Sequence, residues 1–222
     1  MSFNIEVQGG SSVRLPTAGK YCDRDIVVTA TGGSDELAKQ LIDRTITEIR
    51  DDTTATVGSY AFAGCKELTY ASFTNCEKIG SYAFTVCTKL VTVNLPKLTD
   101  LSLNLVQGCS VLKNISIPEV TNLPSNSIRD CVALEKIDLP KVRTINSQVF
   151  LNCSALTAVI LRSTSVATLS NSNSFNGTPI ANGTGYIYVP AALVDRYKTA
   201  TNWSAFTNQF RAIEDFPDIC GG

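Results

Sequence analysis

The sequence predicts an α/β solenoid, a stack of similar coils with a parallel sheet down one face. Three observations carry this expectation. Cys65, Cys87, Cys109, Cys131 and Cys153 stand 22 residues apart without exception, and three residues after each come Leu68, Leu90, Leu112, Leu134 and Leu156. Four further apolar columns keep the same step: Val57, Ile79, Leu101, Leu123 and Ile145; Phe62, Phe84, Val106, Ile128 and Phe150; Ala71, Val93, Ile115, Ile137 and Val159; Phe73, Leu95, Ile117, Leu139 and Leu161. Pro96, Pro118 and Pro140 then end the segment after the leucine at one point in three units, where a missing N–H stops a strand ladder. A fixed period of this length means one structural unit per repeat, and stacking buries a core that no single unit could bury alone.

Taken in chain order, residues 1–33 lie outside the period. Ile5–Val7, Ser12–Leu15 and Ile26–Ala30 read as short strands separated by Gly9-Gly10 and by Pro16 to Gly19, a small β module with Gly32-Gly33 as its hinge. The run from Leu15 to Cys22 is similar to short β modules that precede repeats in phage structural proteins, which implies a role in attachment or assembly. Residues 34–55 read as an N-terminal cap. Ser34 is placed to cap a helix through Asp35–Ile42, and Thr45–Ile49 follows as the first strand.

Five regular repeats span 57–166. In Thr92-Val93-Asn94-Leu95, Asn114-Ile115-Ser116-Ile117 and Lys136-Ile137-Asp138-Leu139 the alternation turns apolar residues inward and polar ones outward. Each coil returns to the same side, so these strands run parallel. The unit Ile79-Gly80-Ser81-Tyr82-Ala83-Phe84, followed by Cys87 and Leu90, resembles the BspA-type leucine-rich repeat of bacterial surface and phage-associated proteins. The likeness covers residues 45 to 215 and implies a curved right-handed solenoid used for adhesion and protein binding. Two units depart from it, reading Leu105-Val106 and Ser127-Ile128 where the others carry an alanine or valine before phenylalanine, but the buried position stays apolar.

Residues 167–217 read as the C-terminal cap. A degenerate unit runs through Leu169, Phe175 and Ile180, with the polar stretch Ser170 to Ser174 expected as a mobile loop. Tyr186–Val189 supplies a strand, and Pro190 suits a helix start. Leu193, Tyr197, Ala200, Trp203, Phe206, Phe210 and Ile213 recur at steps of three and four, so one helical face is expected to seal the last coil.

Composition excludes several function classes. Lys plus Arg is 19 and Asp plus Glu is 20, a balance without attraction for nucleic acid or anionic lipid. No apolar run is long enough for membrane insertion, and the N-terminus lacks the pattern of a signal peptide. With no histidine, the usual catalytic triads and the commonest metal ligand are missing, so no catalytic residue and no cofactor is expected. The cysteine column suggests a disulfide or metal ladder at first sight. Stacked coils, however, hold equivalent side chains parallel at about 4.8 Å, whereas bonded cysteines turn their Cβ atoms to within about 3.8 Å. The cysteines are therefore read as buried thiols, with no disulfide and no metal. Sequons such as Asn114-Ile115-Ser116 and Asn152-Cys153-Ser154 receive no role in a chain this rich in Asn, Ser and Thr.

The candidate binding surface is the outward side of the sheet: Tyr70, Thr92, Asn114 and Lys136 in one column, Ser72, Asn94, Ser116 and Asp138 in the next. The alternation continues these columns outward through Ala158 and Ile160. The chain thus reads as a binding scaffold for a protein or glycan at a cell surface or on a virion. The alternative is a structural or host-recognition component of a phage or prophage particle.

Overall fold

The computed structural model describes residues 6–7 and 46–221, so most of the 1–33 module and the helix expected over Asp35–Ile42 lie outside the described residues. From Ile46 onward the chain winds as a solenoid whose coils have three sides. On the broad side, Glu48–Asp51, Tyr70–Phe73, Thr92–Asn94 and Asn114–Ser116 pair in parallel, with Glu6–Val7 alongside the first of them. The register is the sequence period itself, Tyr70 opposite Thr92 and Thr92 opposite Asn114. Lys136–Leu139, Ala158–Leu161, Tyr186–Val189 and Phe210–Ala212 make a second parallel sheet. No ladder joins the two sheets between Asn114–Ser116 and Lys136–Leu139. At that seam Ile115 is only partly buried, whereas Ala71, Val93, Ile137 and Val159 in its column are at most 2% exposed.

The second side carries two-residue strands that the sequence marked only as an apolar column. Thr56–Val57, Lys78–Ile79 and Asp100–Leu101 form one parallel set, and Asn122–Leu123, Thr144–Ile145 and Thr168–Leu169 another. Two residues are too short a stretch for alternation to show in a sequence. The third side is built of turns with two left-handed residues per coil. Tyr60, Tyr82, Asn104, Asn126 and Gln148 fill the first position, and Gly64, Val86, Gly108, Asp130 and Asn152 fill the second, four residues later. These turns are laddered as well, since Tyr60, Phe62 and Gly64 donate their N–H groups to the Ser81, Ala83 and Thr85 carbonyls at 2.8–2.9 Å. Among the described residues the helices fall in the C-terminal cap, and the repeating coils consist of strands and turns.

The core follows the predicted columns. Leu68, Leu90, Leu112, Leu134 and Leu156 are each 0% exposed. A further buried column, Cys76, Leu98, Val120 and Val142, precedes the short strands and explains why Cys76 stands off the main cysteine period. In the first described coil Asp51 takes the place of the apolar column that continues as Phe73 and Leu95. Its Oδ1 accepts the Thr53 and Thr54 N–H groups at 2.8 and 2.9 Å, and its Oδ2 accepts the Thr54 hydroxyl, so the carboxylate turns the chain while buried.

The C-terminal cap differs from the single helical face expected. Val194–Thr199 is helical, but Ala200 is extended and Asn202 is left-handed. Residues 203–209 then form 3₁₀ turns, and Phe210–Ala212 adds a parallel strand beside Tyr186–Val189. The break falls in Thr199-Ala200-Thr201-Asn202, where β-branched residues and asparagine weaken the helix. It also lets two aromatics reach one residue. Tyr197 Oη accepts the Ala167 N–H at 2.9 Å, and Trp203 Nε1 donates to the Ala167 carbonyl at 2.6 Å. Asn202 Nδ2 meets the Leu169 and Ser170 carbonyls at 2.8 and 3.1 Å. Side chains thus satisfy the outer edge of the last short strand, which removes a template for edge pairing. The segment expected as a mobile loop is instead a 3₁₀ turn over Ser172–Phe175, capped by Asn171, with Ser174 and Phe175 buried.

Two stability outcomes follow. Leu112→Ala, in a central coil, should lower the unfolding free energy by about 2–5 kcal/mol through the cavity it leaves, read from urea denaturation. Val86 is the one β-branched residue in the second left-handed column, and its side chain is 45% exposed. Val86→Gly should therefore raise the unfolding free energy by about 0.5–1 kcal/mol, seen as a higher urea midpoint, the relief of left-handed strain less the backbone entropy of glycine. An unchanged or lower midpoint would mean the turn carries no such strain.

Candidate functional site

The outward columns of the broad sheet form a surface whose side chains are tied together from coil to coil. Asn94 Nδ2 donates to Ser72 Oγ at 3.0 Å, and Asn114 Nδ2 approaches Thr92 Oγ1 at 3.4 Å. Ser72 is only 6% exposed, so it acts as a buttress for Asn94. Thr92 and Asn94 are half-buried, while Asn114 and Ser116 are exposed. Tyr70 is half-buried, with the Arg50 guanidinium stacked over its ring at 4.2 Å and Glu48 bonded to that arginine at 2.5 Å. Arg50 and Glu48 are the residues opposite Ser72 and Tyr70, so the columns begin one coil earlier than the sequence reading placed them. Carrying the same step backward from Ser72 and Tyr70 would have found them.

Lys136 and Asp138 belong to a different environment. Asp138 receives Arg162 in a bidentate pair, Nε at 3.0–3.1 Å and Nη2 at 2.7 Å. Lys136 Nζ donates to the Ile219 carbonyl at 3.0 Å, and Arg162 also donates to the Cys220 carbonyl. The columns do not stay outward beyond them: Ala158 is 6% and Ile160 1% exposed. Both lie with Tyr188 and Cys220 beneath Tyr186, Ile213, Phe216 and Ile219. Residues 213–220 thus cross the sheet face, a contact without a periodic signal because it joins segments about 80 residues apart. Beyond it Arg211 lies over the Tyr186 ring at 4.2 Å. The open part of the face is therefore the stretch from Tyr70 to Ser116, uncharged along Thr92, Asn94, Asn114 and Ser116.

Residues 55–182 match six copies of the BspA-type leucine-rich repeat region. The chain belongs to that family. Among curated proteins no relative matches. Among solved structures, a leucine-rich cell surface protein from Faecalibacterium prausnitzii is similar at 17% identity, over 74% of this chain and 51% of that one, with a TM-score of 0.49. A leucine-rich repeat protein from Bacteroides ovatus is similar at 14% identity, over 67% of this chain and 64% of that one, with a TM-score of 0.25. This chain spans about half the length of the first protein and under two thirds of the second.

In these BspA-type coils the cysteine column has a specific task. The Sγ atoms of Cys87, Cys109, Cys131 and Cys153 lie 3.0–3.2 Å from the carbonyls of Phe62, Phe84, Val106 and Ile128 in the preceding coil. The Phe62 and Val106 carbonyls also accept the N–H groups of Cys65 and Cys109 at 3.1 Å, closing the turn within their own coil. A thiol is small enough for this tight place and still supplies a donor for the second lone pair. Among the described residues no disulfide joins the seven cysteines, and no group of three His, Cys, Asp or Glu is placed to hold a metal. Burial pushes the Cys131 thiol well above the ordinary thiol range, with Cys153 beside it acting in the same direction. The thiol form, which donates, is the one the fold retains.

A pH dependence follows. The folded-state value of Cys131 is raised, so its contribution to stability is complete below the unfolded thiol value of about 8.5 and declines as pH climbs toward the folded value. The urea midpoint should fall between pH 8 and pH 10, and Cys131→Ala should lower it at pH 7 but flatten the alkaline decline. Equal slopes for the two proteins would show that this thiol is not retained by burial.

Proposed function

We propose that this BspA-type chain is a non-catalytic recognition scaffold, displayed at a cell surface or on a virion, that takes a protein or glycan on the open part of its broad sheet. The observation that carries the reading is the stretch Thr92, Asn94, Asn114 and Ser116, uncharged and hydrogen-bonded from coil to coil, bounded by Tyr70 with Arg50 on one side and by residues 213–220 on the other. Its side chains are amides and hydroxyls, groups that bind by donating and accepting hydrogen bonds. They stand on strands about 4.8 Å apart, and their fixed spacing lowers the ordering cost of association. No helix among the described residues is long and apolar enough to cross a membrane.

The test pairs Asn114→Glu with Ser116→Arg, both exposed positions. The double variant should unfold within about 0.5 kcal/mol of the parent. On printed glycan and protein arrays it should lose at least ten-fold in affinity for whatever the parent retains. Unchanged retention would overturn the assignment of this strip. If deleting residues 1–33 abolishes retention while the double variant keeps it, the N-terminal module is the recognition element and the solenoid its spacer.

A further inference from the structure

Residues 213–220 do not extend the stack; they fold back across it. Ile213–Asp215 is a 3₁₀ turn and Pro217–Cys220 a single helical turn, and their apolar side chains pack in a cluster separate from the main core. Its floor is Ala158, Ile160 and Tyr188, and Phe216 meets the Tyr188 ring edge-on at 5.5 Å. Two cations from neighbouring coils complete the contact. Lys136 Nζ and the Arg162 guanidinium donate to the Ile219 and Cys220 carbonyls, at the end of the helical turn. The last carbonyls of a helix have no partner within it and carry the negative end of its dipole, so cations fixed there recognise a feature every helix end presents. Asp138 holds Arg162 in place through both its oxygens.

We infer that this end of the sheet face is a polypeptide-binding site, and that residues 213–220 occupy it as a tethered ligand. Its external partner is a protein segment ending in an apolar helical turn, with two free carbonyls for Lys136 and Arg162 and an aromatic or aliphatic side chain for the Ala158, Ile160 and Tyr188 floor. The inference rests on the sheet face being where partners dock, and it narrows the partner from protein or glycan to protein. A glycan offers hydroxyls but little to cover that floor. The tether keeps the tail at a high effective concentration, on the order of millimolar for a short connection. A free partner therefore competes with the tail, and release of the tail raises the apparent affinity.

The probe is a fluorescein-labelled peptide with the sequence of residues 210–221, read by anisotropy against the full chain. Ile219→Asp disrupts the tail at a half-buried position outside the main core. This variant should bind the peptide at least ten-fold more tightly than the parent, and adding Lys136→Ala should remove that gain. As a second readout that needs no peptide, the exposed Lys136→Ala alone should speed the native-state reaction of Cys220 with a disulfide reagent at least ten-fold, with Cys220→Ser defining the background. Peptide binding no tighter in Ile219→Asp than in the parent, with its unfolding transition intact, would overturn the inference. So would an unchanged Cys220 rate in Lys136→Ala. If the array result fails while the peptide binds, the strip around Asn114 is at fault and this site stands; if the arrays respond and the peptide does not bind, only this site falls.

Discussion

The molecule depends on the hydrogen-bonded register between successive coils. A coil of this length encloses its backbone on three sides, and buried N–H and C=O groups must find partners. Here they find them in the equivalent residues of the next coil, in the broad sheet, in the short side strands and along the turns. Once that register is set, side chains one period apart have to lie over one another. Leucine stacks on leucine, Phe62 lies over Phe84 with ring centroids 5.2 Å apart, and Asn94 reaches Ser72. The periodicity of the sequence is the trace of this constraint. One residue of slip would turn the inward strand columns outward.

Local departures show what the register demands at each point. The turn side needs two left-handed residues per coil, and glycine, asparagine and aspartate fill most of the second position because they tolerate it. The cysteine column meets a different demand. Carbonyls that close one turn are left with a lone pair facing the next coil, and a small buried donor fits there. A hydrophobe of the same size would pack equally well but leave that second lone pair unused. Elsewhere side chains take over from the ladder. Asp51 folds back on Thr53 and Thr54 beside the first long strand pair, while Tyr197, Trp203 and Asn202 meet backbone groups along the last short strand.

The same economy shapes the surface. Because every coil presents its outward residues at fixed intervals, the face is a strip of repeated positions whose chemistry changes slowly along its length. It passes from a cation stacked on tyrosine, through uncharged amides and hydroxyls, to a lysine and an arginine engaged by the chain's own tail. The middle and the far end thus differ in what they offer: hydrogen bonds at one, an apolar floor with fixed cations at the other.

The sequence by itself determined the solenoid, the parallel strands and the inward columns, since each of these depends on residues one period apart and the period is written in the chain. The regular coils also place Tyr70, Thr92, Asn94, Asn114 and Ser116 on one face by alternation alone. Only the tertiary structure decided how far that face extends. The covering of Ala158 and Ile160 and the engagement of Lys136 come from residues 213–220, which follow no period and meet the sheet across a long stretch of chain. It also decided the cap, where steps of three and four suggested one helix. The chain breaks there instead, at Thr199-Ala200-Thr201-Asn202, and the break brings both Tyr197 and Trp203 onto the backbone of Ala167. Periodic patterns report contacts between equivalent positions; a contact made once, between unlike segments, leaves no repeat to read.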